Sequence, residues 1–236
     1  MRMEKEQIRK IWGGVFDDTT IYALYKLLSK GQITEINSII KEGKESLILS
    51  GRKGARKVAI KVFAIGAANF TKMQPYILGD PRFKRIKRDH RSLVFAWCQK
   101  EFKNLQRAAR AGVRCPEPLA VLENVLVMEF IGKDAPAPRI KDVGLVNRER
   151  TFAKVVDYMR KLHKADLVHG DLSEYNILMV GNEPVFIDFS QAVLLEHPQS
   201  DGMVRRDVKN VCNFFRNRGI VTDENEVYKK VTGKEL

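Results

Sequence analysis

The chain has 236 residues, 44% apolar and 30% charged, with only 16 Gly and 8 Pro. It can bury one large core or two small lobes sharing a cleft, which excludes a multi-domain array, a disordered chain and a fibre. Lys and Arg outnumber Asp and Glu by 42 to 29, a net charge of +13 that draws polyanions to the surface. No apolar run approaches the ~18 to 20 residues of a membrane helix, and the start MRMEKEQIRK has no signal-peptide core, so a cytoplasmic protein with no membrane partner is expected. Cys98, Cys115 and Cys212 lie far apart with no Cys-x-x-Cys, which argues against a disulfide framework or a zinc site.

In chain order, residues 19–29 place Ile21, Leu24, Tyr25 and Leu28 on one helical face, and Gly31 follows as a cap. Residues 36–49 and 57–65 read as short strands separated by the turn formers of SGRKG, 50–54. Periodicity then vanishes from about Gly66 to His90, a length typical of functional or mobile loops. A helix is expected over about 93–111, since Phe95, Cys98, Phe102, Leu105 and Ala109 recur at steps of three and four, and Gly112 ends it. Pro116 and Pro118 introduce a strand pair whose second member, 125–130, is apolar enough to be buried. A helix over 149–164 follows, then a strand-loop-strand from Leu167 to Asp188 turned by Gly181-Asn182, and a helical, basic stretch from Asp201. The fold class is therefore α+β: a sheet-rich N-terminal lobe over 1–130 and a mainly helical C-terminal lobe over 131–236, meeting near residue 130.

The stretch LVHGDLSEYNILM (167–179), followed nine residues later by Asp188, is the most informative. An Asp opening a loop, an Asn five residues on and a second Asp after the next strand is how a phosphotransferase site is assembled. Asp171 would orient and deprotonate the acceptor, while Asn176 and Asp188 would give Mg²⁺ the oxygen ligands it prefers. Turns and caps are the commoner fate of Asp and Asn in loops and form the alternative. Lys61, within the strand KVAIKVF, would meet the α and β phosphates and needs a carboxylate to hold it. Glu101 is the only acidic residue between Leu93 and Arg114 and lies at the edge of the expected apolar face, with Lys100, Lys103, Arg107 and Arg110 opposite. It is the natural partner of Lys61; a surface pair along its own helix is the alternative. In the turn EGKES, Gly43, Lys44 and Ser46 can present amides and a hydroxyl to phosphate. The strand ending Met128-Glu129-Phe130-Ile131 falls where a purine would lie, its edge read by backbone groups of Glu129 and Ile131.

At these residues the chain resembles the RIO atypical serine/threonine protein kinases, in particular the archaeal-like type-1 branch without a winged helix. The likeness runs over roughly 20–220 and rests on LVHGDLSEYN (167–176), IDFSQAV (187–193), the stretch from Arg110 to Asp134, and EGKES followed by VAIKVF. It implies a trimmed, bilobal kinase fold using ATP with Mg²⁺ or Mn²⁺, serine/threonine transfer (to itself included) or ATP hydrolysis, and a role in maturing the small ribosomal subunit. By position it implies Lys61 with Glu101 as the phosphate anchor, Asp171 as catalytic Asp, and Asn176 and Asp188 as metal ligands. Ile48, Ala59, Leu178 and Ile187 would sandwich the adenine, beside Met128, under a lid of Gly43, Lys44, Glu45 and Ser46. Three departures stand out: the lid reads Lys41-Glu42-Gly43-Lys44-Glu45-Ser46 where relatives commonly carry Ser-Thr-Gly-Lys-Glu-Ala, Ser173 replaces the Lys of ordinary kinases, and Phe189-Ser190 follows the metal Asp in place of Phe-Gly.

Only 48 residues follow Asp188, too few for an activation segment and a standard peptide platform, so the acceptor is expected to be displayed by a larger partner, by the enzyme itself, or to be water. From Arg82 to Arg114, eleven Lys plus Arg face two acids, and such a run suits a ribosomal RNA backbone in a pre-small-subunit particle. His169 is expected to brace the loop through backbone bonds. Small-molecule phosphotransferases share the His-Gly-Asp motif and usually carry a longer helical C-terminal lobe; a catalytically idle RNA-binding scaffold is the third reading.

Overall fold

The computed structural model describes residues 5–66, 74–77, 79–83, 86–87 and 89–234; the rest of the aperiodic 66–91 stretch lies outside the described residues. The chain forms two compact units. The first comprises residues 1–77, 85–102 and 117–130, and the second 78–84, 103–116 and 131–236. Residues 103–116, expected in the first lobe, thus cluster with the second unit, and their side chains show why: the Asn104 amide donates to the carbonyls of Phe189 (2.9 Å) and Ala192 (2.7 Å).

In the first unit, helices α1 (Lys5–Trp12) and α2 (Asp18–Ser29) precede an antiparallel five-stranded sheet. Its strands are β1 (Glu35–Glu42), β2 (Ser46–Lys53), β3 (Arg56–Phe63), β4 (Pro118–Leu122) and β5 (Val125–Glu129), in the order β1-β2-β3-β5-β4. Helix α1 is an addition to the expectation; short and highly charged, it carries only Ile8 and Trp12, one turn apart, into the core. Helix α2 starts at Asp18 because the Asp17 carboxylate accepts the Thr20 amide at 2.7 Å. Strand β2 runs through the expected turn of residues 50–54, and the chain reverses at Gly54-Ala55, with Gly54 at φ +60°. Gly51 is a packing residue: a Cβ there would lie 2.6 Å from the Glu35 carbonyl oxygen and 2.8 Å from the Ile60 side chain. Val58, Ile60 and Val62 of β3, with Leu49, Val125 and Val127, face the core under α1 and α2. Alternation then puts Ala59, Lys61 and Phe63 on the other face.

Helix α3 (His90–Arg110) begins three residues before its expected start because Asp89 accepts the Ser92 amide (2.9 Å) and hydroxyl (2.6 Å). Its buried face includes Leu93, Val94, Trp97, Cys98, Glu101, Leu105 and Ala108; of the expected series Cys98 and Leu105 are buried, Phe95 and Phe102 half-buried and Ala109 exposed. Lys100, expected on the solvated face, is 0% exposed, its ammonium 4.9 Å from the Trp97 ring. In the second unit, α4 (Arg148–Lys164), the hairpin β6 (Ile177–Val180) and β7 (Glu183–Phe186), α5 (Ser200–Arg216) and α6 (Glu224–Thr232) follow. Gly181 at φ +59° turns the hairpin, and Phe152, Phe214 and Phe215 join α4 to α5. No helix among the described residues is long and apolar enough to cross a membrane.

Candidate active site

The first unit supplies a buried ion pair. Lys61, 4% exposed, stands on β3 opposite Ile48 of β2 and Leu126 of β5. Its ammonium donates to both carboxylate oxygens of Glu101, at 3.0 and 2.8 Å, and lies 4.9 Å from the Phe63 ring. Glu101 is 1% exposed and sits within the buried stripe of α3, not at its edge, so the surface-pair alternative falls. The surroundings are dry: burial, then the Glu101 charge, push the neighbouring Cys98 thiol well above the usual range. Such a pair adds little net stability over apolar residues of similar size.

The adenine candidates of this unit share the Lys61 face. Ala59 pairs with Met128, and Ile48 with Lys61 itself. The lid is a tight hairpin in which the Gly43 amide donates to the Ser46 carbonyl at 2.9 Å, while the Glu45 carbonyl accepts the Ala64 amide. Gly43 therefore cannot offer its N–H to a phosphate as expected; the exposed Lys44 remains the lid's charged contribution. The Glu129 amide is likewise committed, to the Glu117 carbonyl at 2.8 Å, and the Ile131 carbonyl accepts the Ala137 amide.

The second unit holds the loop chemistry. The Asn176 side chain donates to the Asp171 carbonyl (2.8 Å) and carboxylate (3.0 Å), so these two expected residues come together. Burial raises the Asp171 pKa, and the charge of Asp188 raises it further, so two carboxylates crowd one field. Asp188 adopts φ +64°, a left-handed conformation costly for a residue with a Cβ, and accepts the Ser190 hydroxyl at 2.8 Å. Ile187 ties the two segments: its amide donates to the Asn176 carbonyl (3.0 Å) and its carbonyl accepts His169 Nε2 (3.1 Å). Burial lowers the His169 pKa to about 4, so a neutral imidazole braces the loop. Leu178, half-buried on β6, pairs with Val185.

Three residues of α5 that the sequence reading missed hold this loop. The buried Asp207 carboxylate accepts the amides of Gly170 (2.8 Å) and Leu172 (2.9 Å), the two neighbours of Asp171. Arg206 donates to the Gly170 carbonyl, and Asn210 to that of Leu172. The available signal was a carboxylate inside the apolar stripe Met203, Val204, Val208 and Val211, the same signature that singled out Glu101.

Among the described residues, no group of three or more His, Cys, Asp or Glu could cage a metal ion. The Asp188 carboxylate and the Asn176 amide oxygen fit Mg²⁺, which keeps several non-protein ligands and whose charge would relieve the repulsion between Asp188 and Asp171.

The RIO domain family model matches residues 42–227, so the chain belongs to the RIO family. It is 45% identical to the RIO-type serine/threonine-protein kinase Rio1 of Haloferax volcanii, over all of this chain and 82% of that one, and 43% identical to the Rio1 kinase of Methanocaldococcus jannaschii, over 94% and 77%. In fold it resembles the Rio2 kinase from Chaetomium thermophilum in its ADP/Mg²⁺-phosphoaspartate complex, with TM-score 0.71 and 22% identity, over 97% of this chain and 76% of that one. The chain is a serine/threonine protein kinase of the Rio1 type with an α+β, kinase-like fold, which removes the small-molecule alternative.

Proposed function

We propose that this kinase moves the γ-phosphate of ATP to a serine or threonine of a protein acceptor, itself included, or to water, in small ribosomal subunit maturation. The observation that carries the reading is the Asp171–Asn176 pair facing the charge of Asp188. Asp171, its pKa raised, accepts the hydroxyl proton as the acceptor oxygen attacks phosphorus. Asn176 and Asp188 hold Mg²⁺, which neutralises charge on the phosphates. Lys61, aimed by Glu101, binds the α and β phosphates, and Ile48, Ala59, Met128, Leu178 and Ile187 enclose the adenine. With the Glu129 amide engaged, reading of the base edge falls to its carbonyl and to the Ile131 amide.

The ribosomal partner rests on charge. Lys100 is buried and Arg107 donates to the Ala165 carbonyl, so the expected basic run narrows, leaving Lys87, Arg91 and Arg110 exposed among its described residues. Sedimentation with small-subunit particles should weaken steeply from about 50 to about 200 mM salt; indifference to salt would exclude a phosphate-backbone contact.

Incubation with γ-labelled ATP and Mg²⁺ tests the reaction. Wild type should retain label on Ser or Thr or release it as phosphate, and Asp171→Ala and Asp188→Ala should do neither. The phosphoaspartate in the Chaetomium relative gives hydrolysis a precedent: the γ-phosphate would pass to a carboxylate, releasing ADP, and water would then release it. Hydroxylamine-labile label would mark that route.

A further inference from the structure

We propose that a groove in the second unit docks an acidic segment of the protein acceptor and that Lys141 and Arg218 select it by charge; this deepens the protein-kinase reading and rests on it. The groove, about 330 Å³, is bounded by Lys141, Glu174, Asn210, Asn213, Phe214 and Arg218. It is fastened to the catalytic loop, because Glu174 lies three residues after Asp171 and the Asn210 side chain donates to the Leu172 carbonyl at 3.1 Å. A segment lying here would therefore be held by residues that neighbour Asp171 in the chain or brace its loop.

Arg218 is preset. Its guanidinium stacks 3.8 Å from the Phe214 ring and donates to the Lys141 carbonyl at 3.1 Å, one of the five N–H donors an Arg carries. A second hollow of about 360 Å³ shares Arg218, adds Arg148 and contains no acidic residue. Lys141 has an exposed companion, Asp142 at 3.4 Å, a contact weak enough to be exchanged for a ligand carboxylate. Three cations, Lys141, Arg148 and Arg218, thus line the two hollows against the carboxylate of Glu174, with Asp142 beside Lys141.

Polypeptide fits better than RNA. Asn210, Asn213 and Asn217 follow one face of α5 and its C-cap; the Asn210 amide nitrogen donates to the Leu172 carbonyl and the Asn213 oxygen accepts Arg216 at 2.7 Å, which leaves the Asn210 oxygen and the Asn213 nitrogen to meet an extended backbone. Tyr175, 52% exposed beside the groove, would be the base-stacking platform, but Lys141 sits 4.6 Å and Arg139 6.0 Å from its ring.

The test uses the full chain and three fluorescent probes: a Glu-flanked serine peptide, its Lys-flanked counterpart, and single-stranded polyuridine. The acidic peptide should bind about ten-fold tighter than the basic one. Lys141→Glu and Arg218→Glu should each reverse that order, and single-turnover label transfer should follow binding. A gain for the basic peptide cannot come from unfolding. Equal binding of the two peptides, a preference that survives both variants, or polyuridine binding that the variants abolish with no reversal between peptides would overturn the docking assignment. ADP binding and self-labelling are measured alongside: if these persist without a charge preference, the groove alone fails; if neither occurs on any probe, the phosphotransfer reading fails and takes the acceptor assignment with it.

Discussion

The two units hold their functional groups in opposite ways. In the first, Lys61 and Glu101 project from a strand and a helix, both almost fully buried, and regular secondary structure alone fixes their meeting. In the second, Asp171, Asn176 and Asp188 lie on half-buried loops whose shape depends on side chains elsewhere: Asp207 and Asn210 from α5, Asn104 from α3, His169 within the loop. A charge that only needs to stay put can be locked in a dry sheet, whereas groups that exchange protons and metal need partial access to water and must have their rigidity supplied from outside.

The sharpest break in this comparison is chemical. Asp171→Asn should lower phosphotransfer by ~10² to 10⁴, with unfolding little changed, because the Gly170 and Leu172 amides still hold the loop and the new amide oxygen can still accept the Asn176 side chain; a rate within a factor of two of wild type would remove Asp171 from the proton path. Next comes the ion pair. Glu101→Leu takes a bidentate carboxylate from a buried ammonium and should cost ~3 to 5 kcal/mol in urea unfolding, and adding Lys61→Met should restore most of it. A single-variant cost below ~1 kcal/mol would mean that the pair is water-screened, like a surface contact, and would erase the contrast between the units. Smaller still, Asn104→Ala leaves the Phe189 and Ala192 carbonyls without that donor, costing ~1 to 3 kcal/mol. It should also depress phosphotransfer, because those carbonyls flank Ser190, the partner of Asp188; intact activity would detach α3 from the metal loop.

What the sequence disclosed follows the same division. Lys61 was legible as a lone cation in an apolar strand and Glu101 as a lone acid in a helix, since each violates a periodic pattern. The depth of Glu101 was not: three basic neighbours draw the polar face across Lys100, and only packing reveals that Trp97 and Lys100 go inside together. The catalytic loop was legible through its spacing, the scaffold behind it was not. Asp207 acts on residues some 35 positions away through backbone amides, which leave no trace in composition. Gly51 misled for a related reason, since a glycine required by close packing across strands looks in sequence like one required by a turn.

Asp207 also yields the finest test. Burial drives its pKa up to about 7; the Gly170 and Leu172 amides and Arg206 pull the other way, Asp171 pushes with burial, and burial wins. In the unfolded chain the group returns to its ordinary value near 3.8. The folded chain therefore holds a proton that the unfolded chain has already released between those two values. Stability from this site is complete below the unfolded pKa and is lost as pH rises through the folded one. Asp207→Asn cannot titrate, and it exchanges one of two acceptors for a donor, a cost of ~1 to 3 kcal/mol. The stability gap between wild type and variant should accordingly narrow between about pH 4 and about pH 7 and stay level above that, as wild type alone surrenders its contribution. Other titrating groups cancel in the difference. Parallel curves would mean that the carboxylate is already ionised in the fold, its two amide bonds outweighing burial. The brace behind Asp171 would then be as fixed a charge as the Lys61 ammonium, and only the residues it positions would remain responsive to solvent.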